Sequence, residues 1–238
     1  MNSSKDLKIK IFSDGANIDE MKRVYSEGIV SGFTTNPTLM KKDGVTDYVA
    51  FAKNVLAEIK DMPISFEVFT DDFESMERQA NEIASWGENV YIKIPVTNTK
   101  DKPSYELINK LSSKGFKLNV TAILTIDQVR KVYESLDKNT PSIISVFAGR
   151  IADTGRDPIP YMKESYEIVK SSEKVELLWA SSRELLNIIQ ADECGCHIIT
   201  VTNDLLKKLK MVGKDLKELS LDTVKMFYND AVSAGYDF

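Results

Sequence analysis

The feature that most constrains the fold of this chain is a regular alternation of short apolar runs with longer amphipathic segments. The apolar runs have the length and β-branched composition of strands, and the amphipathic segments have helical spacing. The predicted strands are residues 8–14, 32–36, 64–69, 90–97, 118–124, 142–147, 175–180 and 198–201. The predicted helices are residues 18–28, 45–60, 73–86, 104–114, 126–136, 158–171, 183–193 and 204–211, with a further helix at 221–234.

Strands that alternate with helices predict parallel β-α-β units. Eight such units in 238 residues favour a closed (β/α)8 TIM barrel of the α/β class. We expect one domain over residues 1–238, with residues 219–238 as a C-terminal helical extension. An open doubly wound sheet is the alternative, although no G-x-G-x-x-G follows the first strand as a dinucleotide-binding version requires.

Composition excludes several classes of protein. A net charge of -5 argues against a general nucleic-acid binder. No apolar run approaches about 18 residues, so we expect no membrane span. The beginning of the chain, M-N-S-S-K-D-L-K, lacks the apolar core of a signal peptide, and the composition fits a cytoplasmic protein.

The run C-x-C-H at Cys194, Cys196 and His197 is a weak metal-site candidate. It offers too few ligands for a structural metal site and precedes a strand-like stretch. Two buried cysteines in a reducing compartment are the favoured interpretation. We therefore expect no metal.

One charged residue, Lys93, lies in the middle of the apolar run V-Y-I-K-I-P-V-T. A charged ammonium is costly in a buried strand unless it is paired. The neutral amine is the form that attacks a carbonyl group to form a Schiff base. The alternative is a lysine at the end of its strand whose amine reaches water.

Other polar residues also fall late in the predicted strands. They are Asp14, Thr34, Asn36, Glu67, Asn119, Thr121, Ser145 and Ser181, with Arg150 and Arg183 directly after strands six and seven. In a barrel of this kind the carboxyl ends of the strands carry the chemistry. We therefore expect these side chains to meet at one mouth.

Each of these residues also has a structural alternative. The alternatives are a helix cap for Asp14, a turn for Asn36 with Pro37, an N-cap for Ser181 or Ser182, a surface ion pair of Arg150 with Asp153, and a core ion pair of Glu67 with Lys93. Taken together, one lysine, two carboxylates and two arginines exceed what stability requires at one end of a barrel. Their combination fits imine chemistry on a ketone, with the arginines and a serine binding a phosphate.

Seven motifs give the chain a specific resemblance. They are S-D-G-A-N, G-F-T-T-N-P-T, I-S-F-E-V, Y-I-K-I-P-V-T, N-V-T-A-I, I-S-V-F-A-G-R-I and A-S-S-R. In this order they resemble the transaldolase family, in the short form that also includes fructose-6-phosphate aldolase. The resemblance covers residues 8–220 and implies an enzyme that uses neither a metal nor an organic cofactor.

The resemblance also implies roles for individual residues. Lys93 is similar to the Schiff-base lysine, Asp14 to the carboxylate that takes the C4 hydroxyl proton, and Glu67 with Thr121 to the groups that move protons through a water. Asn36, Asn119 and Ser145 are similar to the groups that bind the dihydroxyacetone part, and Arg150, Ser181 and Arg183 to the phosphate site. Thr34 and Phe147 are further expected substrate-binding positions.

Two positions bear on the reaction. Glu67 and Phe147 match transaldolases, whereas the aldolase branch has glutamine and tyrosine there. We therefore expect transfer of a dihydroxyacetone unit from fructose 6-phosphate or sedoheptulose 7-phosphate to an aldose phosphate, in the pentose phosphate pathway. Release of free dihydroxyacetone is the alternative, and a phosphosugar-binding barrel without catalysis is a third. The run A-S-S-R at Ser182 and the loop at residues 98–103 depart from the family pattern and leave the sugar open.

The family further implies a homo-oligomer, often a decamer, in which a C-terminal helix reaches a neighbour. An apolar stripe of Val224, Phe227, Tyr228 and Val232 suits this role. Packing of the same stripe on the chain's own barrel is the alternative.

Overall fold

The eight strands close into a parallel barrel in which each strand pairs with the next along the chain. A computed structural model describes residues 7–236. The strands are β1 Lys10–Asp14, β2 Gly32–Thr34, β3 Ile64–Glu67, β4 Val90–Pro95, β5 Leu118–Ile123, β6 Ser142–Val146, β7 Val175–Trp179 and β8 Ile198–Thr202. Pairing of β8 with β1 closes the sheet, so the barrel prediction is confirmed and the open sheet is wrong.

Helices surround this barrel. They are α1 Ile18–Ser26, α2 Pro37–Lys42, α3 Tyr48–Glu58, α4 Phe73–Ala84, α5 Tyr105–Ser113, α6 Ile126–Ser135, α7 Ala148–Asp153, α8 Pro158–Val169, α9 Leu186–Glu193, α10 Asn203–Lys207 and α11 Leu216–Ala234. A short 3-10 helix, Leu209–Met211, follows α10. The main apolar core lies between the strands and these helices.

Two short helices were not predicted. The second strand ends at Thr34, two residues earlier than predicted, and Pro37 opens α2, whose N-cap Asn36 accepts a hydrogen bond from the Leu39 N–H. The residues after β6 turn at once into α7, although nothing in A-G-R-I marks a helix start. Both helices contribute residues to the cavity at the carboxyl ends of the strands, Pro37, Thr38 and Leu39 from α2 and Arg150 from α7.

Three predicted helix starts were displaced. The helix predicted from residue 45 begins instead at Tyr48, because Asp47 caps it. The predicted helix at 183 begins instead at Leu186, because the Asn187 side chain accepts hydrogen bonds from the N–H groups of Arg183 and Glu184 and holds them in a turn. Neither Ser181 nor Ser182 caps it, so that alternative is wrong. The C-terminal helix begins at Leu216, earlier than predicted, because Asp215 caps it.

The interior of the barrel is packed at one end and polar at the other. A second apolar cluster, containing Phe12, Ile143, Leu178 and Ile198, fills the lower part. Gly32 makes room for it, since a β-carbon there would lie 2.6 Å from the Phe12 ring. The polar end lies at the carboxyl ends of the strands.

The last helix, α11, stands apart from this packing. None of its residues is buried, and the predicted stripe of Val224, Phe227, Tyr228 and Val232 is exposed. The stripe therefore does not pack on the chain's own barrel. Residues 237 and 238 of the predicted extension lie outside the described range. None of the helices in the described part of the chain is both long and apolar enough to cross a membrane.

Candidate active site

A cavity of about 370 Å³ opens at the carboxyl ends of the strands and collects most of the predicted site residues. The predicted residues in its lining are Asp14, Thr34, Asn36, Glu67, Lys93, Asn119, Ser145, Phe147, Arg150, Ser181 and Arg183. They come from seven different strands or the loops that follow them, so closure of the barrel is what brings them together.

Lys93 lies in the wall of this cavity with its amine enclosed. Its side chain is 9% exposed, and Nζ lies 3.2 Å from Oε2 of Glu67. Nζ also donates a hydrogen bond of 3.0 Å to the Thr35 carbonyl oxygen. The alternative of a lysine that extends into water is therefore wrong, and the amine has a carboxylate beside it that can receive a proton.

Asp14 is the second carboxylate of the cavity. Its Oδ1 accepts a hydrogen bond of 2.8 Å from the Thr34 hydroxyl, and the Asn36 amide nitrogen lies 3.5 Å from both oxygens. Desolvation raises the pKa of Asp14 above its usual value, although the charge of Lys93 opposes this shift. Asp14 does not cap α1, because Asn17 performs that role.

A buried hydrogen-bonded chain holds the amide of Asn119. The Ser145 hydroxyl donates to Asn119 Oδ1 at 2.6 Å, and Asn119 Nδ2 donates to Ser65 Oγ at 2.9 Å. All three residues are buried. Ser65 was missed in the sequence, where a serine early in a strand gave no signal.

Thr121 lies outside the residues that line the cavity. Its hydroxyl is buried and has no hydrogen-bond partner in the described part of the protein. The strand is irregular here, because its register with β6 shifts between Val120 and Ile123 and Ala122 has a φ of 62°. The regular alternation assumed in the sequence therefore stops at this residue.

The two arginines lie at the exposed rim. Arg183 forms an ion pair with Asp153, with 3.0 Å between its Nε and Oδ1, and a second bond joins Nη2 to Oδ2. Asp153 therefore pairs with Arg183 and not with Arg150 as the surface alternative supposed. The Arg150 guanidinium instead lies 5.7 Å from the centre of the Phe147 ring.

Strand β8 contributes residues that the sequence interpretation missed. Thr200 and Thr202 line the cavity, as does Ser182 before α9. Thr200 is buried, and its hydroxyl oxygen lies 2.5 Å from that of Thr34. Polar residues late in an apolar strand were the signal used for the other seven strands, and I-I-T-V-T carries the same signal.

The cysteine and histidine cluster lies outside this cavity. Cys194 and Cys196 are free and buried, and burial raises the pKa of both thiols. The His197 ring nitrogen Nδ1 accepts a hydrogen bond of 2.9 Å from the Leu177 N–H, which occupies one of its possible ligand atoms. No group of three or more His, Cys, Asp or Glu side chains suited to a metal occurs among residues 7–236.

A larger cavity, of about 870 Å³, lies beside the barrel mouth between the loops after β2, β3 and β4. Its lining includes Met40, Val68 and Phe69 and none of the predicted site residues. Volume alone therefore does not mark the site; the convergence of ionisable and amide groups on one cavity does.

Comparisons with known proteins agree with the resemblance seen in the sequence. The family model described as Transaldolase/Fructose-6-phosphate aldolase matches residues 11–237. A probable transaldolase of Thermoanaerobacter sp. (strain X514) is 34% identical over 218 residues, which are 91% of this chain and 95% of that protein. A probable transaldolase of Caldicellulosiruptor saccharolyticus is 36% identical over 203 residues, which are 84% and 89% of the two chains.

The fold is also similar to that of a solved structure, dihydrodipicolinate synthase from Rhodopseudomonas palustris. The TM-score is 0.55 at 14% identity, and the match covers 95% of this chain and 80% of that one. At this identity the likeness concerns the fold alone.

Proposed function

The chain belongs to the transaldolase/fructose-6-phosphate aldolase family, and we propose that it is a transaldolase that works through a Schiff base on Lys93. It transfers a dihydroxyacetone unit from fructose 6-phosphate or sedoheptulose 7-phosphate to an aldose phosphate, as an enzyme of the cytoplasmic pentose phosphate pathway. The observation that carries the proposal is the enclosed amine of Lys93, 3.2 Å from Glu67 and in the same cavity as Asp14.

The first half of the reaction forms the imine. The neutral Lys93 amine attacks the ketone carbon of the sugar, and loss of water from the carbinolamine gives an iminium ion. Glu67 is close enough to Lys93 to take up and return the protons of these steps. Thr121 would help to hold the water involved, and its buried hydroxyl, which has no hydrogen-bond partner among residues 7–236, is compatible with that role.

The second half breaks a C–C bond. Asp14 takes the proton of the C4 hydroxyl, and the O–H electron pair forms the carbonyl of the leaving aldose phosphate. The electrons of the C3–C4 bond pass to the iminium and leave an enamine on Lys93. Attack of this enamine on an acceptor aldehyde reverses the sequence and completes the transfer.

Binding groups lie at both ends of the cavity. The amides of Asn36 and Asn119 and the hydroxyl of Ser145 suit the hydroxyl groups of dihydroxyacetone. Arg150, Ser181 and Arg183 at the rim suit the phosphate. The pair with Asp153 engages only Nε and one Nη2 hydrogen of Arg183, so the remaining N–H groups can bind phosphate oxygens.

Borohydride trapping tests the proposal. Reduction in the presence of fructose 6-phosphate should add the mass of the reduced ketose adduct or its dihydroxyacetone fragment to the peptide that contains Lys93. The variant Lys93→Met should not be trapped, whereas Lys131→Met, a change at an exposed lysine, should be trapped like the original protein. An adduct on another lysine would contradict the proposal. Sugar phosphate binding without any adduct would favour a non-catalytic barrel.

An aldolase that releases free dihydroxyacetone is the second candidate, because the same lysine and carboxylates would serve it. Phe147 favours transfer, since its ring offers no hydroxyl that could protonate the enamine. Assays with and without an acceptor aldehyde separate the two candidates. Product formation that depends on the acceptor supports transfer, and acceptor-independent release of dihydroxyacetone supports the aldolase.

We also propose that the protein is a homo-oligomer, of up to ten copies as the family resemblance implies, assembled through α11. The exposed side chains of Val224, Phe227, Tyr228 and Val232 form an apolar face that a second copy can cover. An unpaired helix with so much exposed apolar area is typical of an interface.

A further inference from the structure

We propose that Thr200 is a positioning residue for the catalytic base, because it aims the hydroxyl proton of Thr34 at Asp14. This inference rests on the proposed function, since it takes Asp14 as the group that receives the C4 hydroxyl proton. Thr200 would not contact the reacting atoms; it would act through Thr34.

The contact joins two strands that are not neighbours. Strand β1, which carries Asp14, lies between β8 and β2, which carry Thr200 and Thr34. The two threonine oxygens are nevertheless only 2.5 Å apart, and Thr34 lies 2.8 Å from Asp14 Oδ1. Both threonines are buried, with 5% and 3% of their surfaces exposed, so water competes little for these bonds.

The number of hydroxyl protons available determines which group donates and which accepts in these two hydrogen bonds. An ionised carboxylate can only accept, so the single hydroxyl proton of Thr34 is committed to Asp14. Thr34 can then only accept from Thr200, which must be the donor of the 2.5 Å contact. Hydrogen bonds in a series polarise one another, so the Thr200 bond strengthens the bond from Thr34 to Asp14.

The hydrogen bond from Thr34 opposes the rise that burial causes in the pKa of Asp14. A hydrogen bond donated to the ionised form favours that form, and the base must be ionised to accept a proton. The charged groups that act on Asp14 are Lys93 on β4 and Glu67 on β3. The flanking strands β2 and β8 contain no ionisable side chain, so a change at Thr200 leaves the charges around Asp14 as they are.

The experiment compares Thr200→Val, which keeps the shape and removes the hydroxyl, with Thr200→Ser, which keeps the hydroxyl. For Thr200→Val we expect kcat on the pH plateau to fall about five-fold, which corresponds to one ordinary hydrogen bond. The acid limb of the kcat profile should move up by about half a pH unit, because Asp14 becomes harder to ionise. KM should stay within about two-fold, and Thr200→Ser should restore both the rate and the limb.

The matched control is Thr140→Val. Thr140 is also buried and donates a hydrogen bond of 2.9 Å, but to the Ser112 carbonyl oxygen outside the cavity. It should lose stability without any shift of the pH profile. Thr200→Ala serves as a second test variant if the valine variant does not fold, and we expect from it the same rate loss and shift.

Two further outcomes keep the inference separate from the proposed function. An unchanged acid limb in Thr200→Val and Thr200→Ala, with normal borohydride trapping, would overturn the role of Thr200 and leave the function intact. Absence of trapping in the original protein and in every Thr200 variant would overturn the function first. Trapping that persists in Thr200→Val while cleavage slows is the expected result, because imine formation does not require Asp14.

Discussion

Phe147 shows how one side chain can separate two related reactions at the residue scale. Its ring lines the cavity beneath the Arg150 guanidinium, 5.7 Å away, and is only partly exposed. The proposed enamine must wait in this cavity for an acceptor aldehyde. A neighbouring group that protonated the enamine would return it to an iminium ion, and hydrolysis would then release dihydroxyacetone without an acceptor.

The variant Phe147→Tyr should therefore gain release of dihydroxyacetone without an acceptor, by about tenfold or more, as expected for one added general acid. The measurement is dihydroxyacetone formed from fructose 6-phosphate with no added aldehyde. Phe69→Tyr is the matched control, since Phe69 is exposed and does not line the 370 Å³ cavity that contains Lys93. Equal release from both variants and from the original protein would show that the absence of a hydroxyl at residue 147 does not determine whether dihydroxyacetone is transferred or released.

At the scale of elements, the phosphate side of the site depends on a close approach between α7 and the loop after β7. A β-carbon on Gly149 would lie 1.6 Å from the Ser181 carbonyl oxygen, so only glycine permits this contact. The Gly149 N–H also donates to the Ala180 carbonyl oxygen at 3.3 Å. Ser181 itself has a φ of 63°, a strained conformation that this contact helps to hold.

The substitution Gly149→Ala should displace this loop, raise KM for fructose 6-phosphate about tenfold and destabilise the fold by about 2 kcal/mol. Steady-state kinetics and denaturant unfolding measure the two effects. Gly28→Ala is the control, because Gly28 has a φ of 65° and open space around it, so it should cost about 1 kcal/mol without a change in KM. Equal KM values in the two variants would contradict the proposed phosphate site.

At the scale of the whole molecule, the barrel accounts for all of the chain described except its last helix. The barrel is closed by the pairing of β8 with β1. Helix α11 contributes no buried residue to its core. The apolar stripe on α11 is therefore the clearest structural reason to expect more than one copy in the assembly.

The substitution Phe227→Glu places a charge in this stripe and should reduce the mass of the assembly, as measured by size-exclusion chromatography with light scattering. Ser233→Glu is the control, because Ser233 lies on the opposite side of α11 and should leave the mass unchanged. If the original protein runs as a monomer, the proposed interface is wrong.

Much of this protein is determined by its sequence alone. The alternation of strand and helix patterns predicts the barrel, because the spacing of apolar residues distinguishes the strands from the helices and marks the helix faces that are buried. The late polar residues of the strands mark the cavity, because parallel strands in a barrel end on the same side. Lys93 could be singled out because a lysine amid β-branched residues conflicts with its surroundings.

Only the tertiary structure decided the rest, because it depends on distances between residues far apart in the chain. Thr200 and Thr34 are separated by 166 positions, and no local pattern indicates that their oxygens meet. Three further features also depend on tertiary packing. They are the pairing of Asp153 with Arg183, the register shift in β5 beside Thr121, and the exposure of the stripe on α11. Local propensity governs which element forms, whereas packing of the closed barrel governs which side chains touch.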